Sequence, residues 1–376
     1  MDSIKWHYSI VFAATVVVVV TLIYAASVRS RARQGAIDAG ALVQVAAEKT
    51  AAAFTDTISE RPKPPLGAAE LTALAGGDYD GARRAVDRAL TRVNPGASAA
   101  MPRLSAAAAS ALAGGKRLRG VIALEVGRRA LELRGSASDA DAARVGEAAV
   151  FAECAHAASL VIDDGAAFDD DAERRGGASV PAAFGAATAQ LAALALLMEC
   201  VESAARAGGG AGAIEAARAL GAAGAAAGQA LDSVAAPAEL MAAGGLRTAT
   251  RLKTAPFYGA AAVTGWLAAA APAVATAAAN DGSSEEVAVR LRDAGTDIGY
   301  AMQICDDIGD VATDAARAAS GKPGRNFVAE FGLVAALGEA GAALHRGREA
   351  LDSLDLWTPR WALIYEKIVS MTGLKN

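Results

Sequence analysis

The chain has 376 residues, 53% of them hydrophobic but only 5% aromatic, and a formal net charge of −5 at pH 7. Its histidines (His7, His156, His345) and cysteines (Cys154, Cys200, Cys305) are few and widely spaced, which excludes a zinc cluster and a disulfide framework and fits a reducing compartment. The acidic balance offers nothing to nucleic acid, and neither a nucleophile elbow nor a G-x-x-x-x-G-K-[ST] loop occurs, so chemistry falls to Asp, Lys and Arg.

Residues 10–26 read IVFAATVVVVVTLIYAA, uncharged, with Trp6, Tyr8 and Tyr24 near the ends. That length and those borders suit a bilayer core. Arg29, Arg31 and Arg33 follow, against Lys5 alone before it. By the positive-inside rule, residues 1–34 are a transmembrane anchor and the rest stays on the cytosolic side. The alternative is a cleaved signal, since YAAS (24–27) resembles a small-residue cleavage site, or a bipartite plastid signal. Residues 35–67 are a juxtamembrane segment and a linker stiffened by Pro62, Pro64 and Pro65.

Residues 68–376 are helical in pattern almost throughout. Ala loses no side-chain entropy in a helix, and regularly placed Leu, Val and Ile supply a core. Breaks fall at NPG (94–96), AGG (113–115), AGGGAG (207–212), AAGG (242–245), NDGSS (280–284) and SGKPG (320–324). Ser283 with Glu286 has capping-box spacing and predicts a helix start. The fold class is all-α, a single large bundle of about ten or more helices.

Two acidic clusters follow apolar helical stretches. In FAECAHAASLVIDDGAAFDDDAERRGG (151–177), Asp163 and Asp164 end the apolar run and Asp169, Asp170 and Asp171 follow a small-residue loop. In IGYAMQICDDIGDV (298–311), Asp306 and Asp310 are i and i+4 on one helix face, with Asp307 beside them. Either cluster alone reads as a solvated acidic loop. Together they point to a two-sided cage for Mg²⁺, a hard ion that takes carboxylate and phosphate oxygens. Matching cations are Lys116, Arg117 and Arg119 in AGGKRLRG (113–120), Arg174 and Arg175 after the first cluster, and Lys253 beside Thr254. His156 lies two helical turns before Asp163.

With these residues assembled, the chain resembles the trans-isoprenyl diphosphate synthases (polyprenyl synthetases), geranylgeranyl diphosphate synthases among them. GGKRLRG is similar to their G-G-K-R-x-R-P segment, DDGAAFDDDAERRG to a D-D-x-x-x-x-D first aspartate motif, and GQALD (228–232) to a G-Q-x-x-D element. Lys253-Thr254 and QICDDIGD (303–310) resemble the basic helix and the second aspartate motif. The resemblance implies a Mg²⁺-dependent transferase that condenses an allylic diphosphate with isopentenyl diphosphate. Asp163, Asp164, Asp169, Asp232 and Asp306 would hold the metal, with Asp307 and Asp310 as indirect partners. Arg174, Lys253 and Lys322 would grip the allylic diphosphate; Lys116, Arg119, His156 and Arg175 the isopentenyl one. Thr254 and Gln303 would face the forming carbocation. Ala158 and Ser159 would floor the product tunnel, and their small size implies a product longer than farnesyl, geranylgeranyl first. A homodimer, or a heteromer with a related synthase, is implied, and the alternative activity is that of a catalytically weak regulatory subunit. Gly120 departs from the usual Pro, Pro181 stands where many relatives have His, and the segment after Lys322 is short.

Overall fold

The computed structural model describes residues 64–93, 101–135, 137–270, 283–319 and 325–374. The apolar segment 10–26, most of the linker, the NPG turn and SGKPG with Lys322 lie outside the described residues. The described chain is all-α apart from one two-residue hairpin. It divides into two compact units: Asn94–Ala113 with Ala157–Leu196 in one, and Pro62–Val93, Gly114–His156 and Leu197–Asn376 in the other.

Ala68–Ala73 (α1) leads to Tyr79–Leu90 (α2), where Asp78 accepts a hydrogen bond from Gly81 N at 2.7 Å. This is an N-cap, and Ala82, Ala85, Val86 and Leu90 then form a buried stripe at helical spacing. Pro102–Leu112 (α3) begins with proline in its first turn, where the missing N–H costs nothing. The AGG break separates it from Leu118–Arg134 (α4), which stops at Gly135 in a left-handed conformation. Asp139–Asp163 (α5) is long and apolar enough to cross a membrane, yet 72% of its apolar window is buried within the protein, as a core helix requires.

In the first unit α5 ends in a loop that turns back on it. Asp169 N donates to Asp163 O at 2.9 Å and Asp171 N to Asp164 O at 3.2 Å, so the loop satisfies carbonyls that the helix end leaves open. Glu173–Arg174 (β1) and Gly177–Ala178 (β2) pair antiparallel around Arg175 and Gly176, both with positive φ as a two-residue hairpin turn demands. Ser179 caps Val180–Phe184 (α6), which packs on α3 with Arg103 Nη2 donating to Phe184 O at 2.9 Å. Ala186–Leu220 (α7) follows, belonging to this unit only as far as Leu196 and kinked further on at Gly208 and Gly209, within the expected AGGGAG break.

The second unit is built on Gly245–Ala269 (α10), which packs against α4, Ala225–Ser233 (α8) and Ser283–Gly309 (α11); the short Pro237–Ala242 (α9) precedes it. The helix start expected from the capping-box spacing at Ser283 falls at the edge of the described residues. Val311–Ala319 (α12), Phe327–Phe331 (α13), Leu333–Asp352 (α14) and Pro359–Val369 (α15) complete the unit, with α14 packed along α11. The last helix is anchored by Trp361, fully buried, and by buried Arg360, 2.9 Å from Glu125 Oε2.

Candidate active site

In the first unit the carboxylates gather at the end of α5. Asp164 is 3% exposed and accepts from Arg174 Nε at 2.8 Å, with the other end of that guanidinium 3.6 Å from Asp171. Burial raises the Asp164 carboxyl above the usual range, Asp171 and Asp169 add to this, and Arg174 opposes it. Arg174, an expected diphosphate ligand, is occupied by Asp164. Arg175 donates from Nη1 to Ala113 O at 2.8 Å. Asp163 and Asp169 are half-buried, Ala158 is fully buried and Ser159 half-buried.

In the second unit the backbone contact between α8 and α10 decides one pair. A Cβ on Gly228 would stand 2.0 Å from Lys253 N, so only glycine admits this approach. One turn further along α8, Asp232 Oδ2 meets Lys253 Nζ at 2.7 Å. The next residue starts a chain across to α11: Thr254 Oγ1 donates to Gln303 Oε1 (2.8 Å), and Gln303 Nε2 to Asp307 Oδ1 (2.9 Å). Phe327 N donates to Asp307 Oδ2 at 2.9 Å, so both oxygens of this buried carboxylate are engaged inside the fold. Burial still pushes the Asp307 carboxyl up to about 7 against those hydrogen bonds.

Asp306 and Asp310 are the outward pair of the same turn. Burial and then Asp310 raise the Asp306 carboxyl, while Lys116 and Arg119 pull it down; Asp310 is raised by burial and by Asp314 and lowered by Lys116. The basic start of α4 and the end of α11 therefore share one electrostatic field. Lys116 is exposed, and its carbonyl accepts from the Tyr79 hydroxyl at 2.5 Å. Arg117 belongs elsewhere: buried, it donates to Asp87 at 2.8 Å and to Glu153 at 3.3 Å, and holds α4 in place. Gly120 has its own reason here. Its N–H donates to Glu153 Oε1 at 2.9 Å and a Cβ would lie 2.7 Å from Val86, so proline would lose the bond and collide. His156 is half-buried on α5.

The donor set fits Mg²⁺. Among the described residues no three acidic, His or Cys side chains converge as an all-protein metal cage. Mg²⁺ characteristically takes one or two carboxylates and completes its shell with water and substrate phosphate. Asp306, raised by burial and by Asp310, and Asp310, raised by burial and by Asp314, are carboxylates that a cation stabilises.

Three contributors escaped sequence reasoning. Asn326, 4% exposed, donates from Nδ2 to Asp307 O (2.6 Å) and Asp314 Oδ2 (2.8 Å) while its Oδ1 caps α13. An Asn just before the apolar run FVAEF was the available signal. Tyr79 and Tyr258, which hold Lys116 and Arg119, carry no local signature.

The polyprenyl synthetase profile matches residues 101–328. A trans-prenyltransferase of African swine fever virus (isolate Pig/Kenya/KEN-50/1950) is 30% identical over 261 residues, spanning 69% of this chain and 74% of the viral one. Among solved structures, a geranyltransferase from Legionella pneumophila matches with a TM-score of 0.58 at 23% identity, covering 80% of this chain and 98% of its own. A geranyltransferase from Helicobacter pylori complexed with magnesium and isoprenyl diphosphate matches with 0.56 at 22%, covering 82% and 98%. The solved structures share the fold, while the profile and the viral relative carry the kinship. The chain belongs to the polyprenyl synthetase family of prenyltransferases.

Proposed function

We propose that this prenyltransferase is Mg²⁺-dependent and condenses an allylic diphosphate with isopentenyl diphosphate head-to-tail, with geranylgeranyl diphosphate as the main product. The observation that carries this reading is the shared field of Lys116, Arg119, Asp306 and Asp310: carboxylates for a cation set beside cations for an anion. The Helicobacter relative, complexed with magnesium and isoprenyl diphosphate, supports the choice of ligands.

The first-motif carboxylates Asp163, Asp164 and Asp169 would hold Mg²⁺, and so would Asp232, Asp306 and Asp310. When bound, Mg²⁺ supplies the positive charge that makes diphosphate a good leaving group. Lys253 and Arg174, each already paired with a carboxylate, exchange that partner for the oxygens of the allylic diphosphate, and Lys322 adds charge to the same task, while Arg175 serves the isopentenyl diphosphate. Lys116, Arg119 and His156 orient isopentenyl diphosphate so that its double bond attacks the allylic carbon as the C–O bond breaks. The Thr254–Gln303–Asp307 chain fixes the Thr254 and Gln303 oxygens as dipoles toward the developing cation. The leaving diphosphate then takes the proton lost from isopentenyl carbon, and the alanine-rich walls keep water away. Asp307, with both oxygens used, acts by holding Gln303 and the start of α13. Small Ala158 and Ser159 leave room for a product longer than farnesyl. Residues 10–26 would tether the enzyme to a membrane with this domain on the cytosolic side, and a homodimer is the expected assembly.

The test is elongation by the full-length chain in detergent with Mg²⁺, isopentenyl diphosphate and each allylic primer in turn. Products should reach geranylgeranyl length, and Asp306→Asn should lower turnover by roughly a hundredfold or more. No elongation with any primer refutes the reading.

A further inference from the structure

Arg117 and Arg119, two residues apart at the start of α4, are held in opposite ways. Arg117 is buried between carboxylates, with its donors directed at Asp87 and Glu153. Arg119 is 8% exposed, and its Nε, shielded from solvent, has no hydrogen-bond partner. The contacts of its guanidinium are with aromatic rings, and Asp306 reaches it only through the field the two share. Its guanidinium carbon lies 4.6 Å from the centre of the Tyr258 ring and 5.8 Å from that of Phe257.

The difference matters for binding an anion. A buried guanidinium is costly without compensation. A carboxylate would supply it but would occupy the N–H donors and cancel the charge that an incoming diphosphate needs. An aromatic face attracts the cation through its quadrupole and takes no donor. Tyr258 is well placed to do this rigidly: it is fully buried, and its ring lies on Gly299, where a Cβ would come within 2.7 Å of Cδ2. Its hydroxyl is buried without a partner, so the ring, and not the hydroxyl, is what fits the residue to its place.

We propose that Tyr258 is a positioning residue: its ring carries the charge of Arg119 in place of a carboxylate, and so keeps the guanidinium donors open for the diphosphate of the isopentenyl substrate. This rests on the reading of Arg119 as a ligand of that substrate.

The experiment measures KM for isopentenyl diphosphate with the full-length enzyme at saturating allylic primer. Tyr258→Leu should raise it about 5- to 30-fold, the range expected for a desolvated cation–π contact, while KM for the primer moves less than about twofold. Tyr258→Phe, which keeps the ring, should restore the wild-type value. Mono-, di- and trifluorinated phenylalanine at 258 keep the volume and weaken the ring quadrupole, so KM should climb stepwise with fluorine number. Added to Arg119→Ala, Tyr258→Leu should have no further effect. A KM indifferent to fluorination, or one that Tyr258→Leu raises equally without Arg119, overturns the proposal. Failure of the unmodified chain to elongate any primer is a separate outcome, which removes the reading of the site and this proposal with it.

Discussion

Replacing Asn326 by alanine tests how the second aspartate segment is held. One amide side chain joins three helices: Nδ2 donates to Asp307 O at the end of α11 and to Asp314 Oδ2 in α12, and Oδ1 accepts from Val328 N (2.9 Å) and Ala329 N (3.3 Å) of α13. Loss of the cap costs about 1 kcal/mol. Leaving the Asp314 carboxylate and the buried Asp307 carbonyl without their amide donor adds about 1–3 kcal/mol. The sum, about 2–4 kcal/mol, should appear as a lower urea midpoint at unchanged m. Asn326→Asp separates the two roles, because it keeps the cap but sets a carboxylate where Asp314 and the Asp307 carbonyl need a donor. It should also destabilise, and more at pH 7 than at pH 4. Because Asp306 and Asp310 ride on the same turn, elongation by folded Asn326→Ala should fall roughly tenfold or more. An alanine variant within about 0.5 kcal/mol of the parent would refute the reasoning.

Arg117→Ala should cost about 3–5 kcal/mol, because it leaves the buried Glu153 carboxylate without its cation and with the Gly120 N–H as donor, yet raise KM for isopentenyl diphosphate far less than Arg119→Ala does; thermal melts and steady-state kinetics separate the two. At Asp141, burial works to raise the carboxyl, but hydrogen bonds from Ser138 and the Arg134 pair overcome it and hold the group down at about 2. A depressed carboxyl contributes above its unfolded value, near 3.8, and the contribution drains away as pH falls through about 2. Asp141→Asn should therefore lose about 2 kcal/mol at pH 6, well under about 1 kcal/mol at pH 2 and nothing by about pH 1 in urea titrations; an equal deficit at pH 6 and pH 2 rejects the assignment. Ala158→Phe, at a fully buried position on α5, should shorten the product at about 1–3 kcal/mol of overpacking, and an unchanged chain length by chromatography excludes Ala158 from the tunnel.

Much of the site is legible because its chemistry is local. Asp163 and Asp164 at a helix end, Asp306 and Asp310 one turn apart, and Lys253-Thr254 in mid-helix are patterns that helical spacing alone places. The departure at Gly120 was visible too, but its cause was not. Glu153 and Val86 lie more than 30 positions away in opposite directions along the chain, and only packing brings them to Gly120.

The sequence by itself determined the all-α class, the helix breaks and the inventory of carboxylates and cations, since these follow from propensity, periodicity and spacing within a few turns. Tertiary structure alone decided which cation does what. Lys253 has Asp232 as partner, Arg174 has Asp164, Arg117 has Asp87 and Glu153, and Arg119 has an aromatic face. Local sequence ranks Arg117 and Arg119 almost equally. What sets them apart is the partner that each meets once buried, because a buried charge is compensated by contacts that other parts of the chain bring to it.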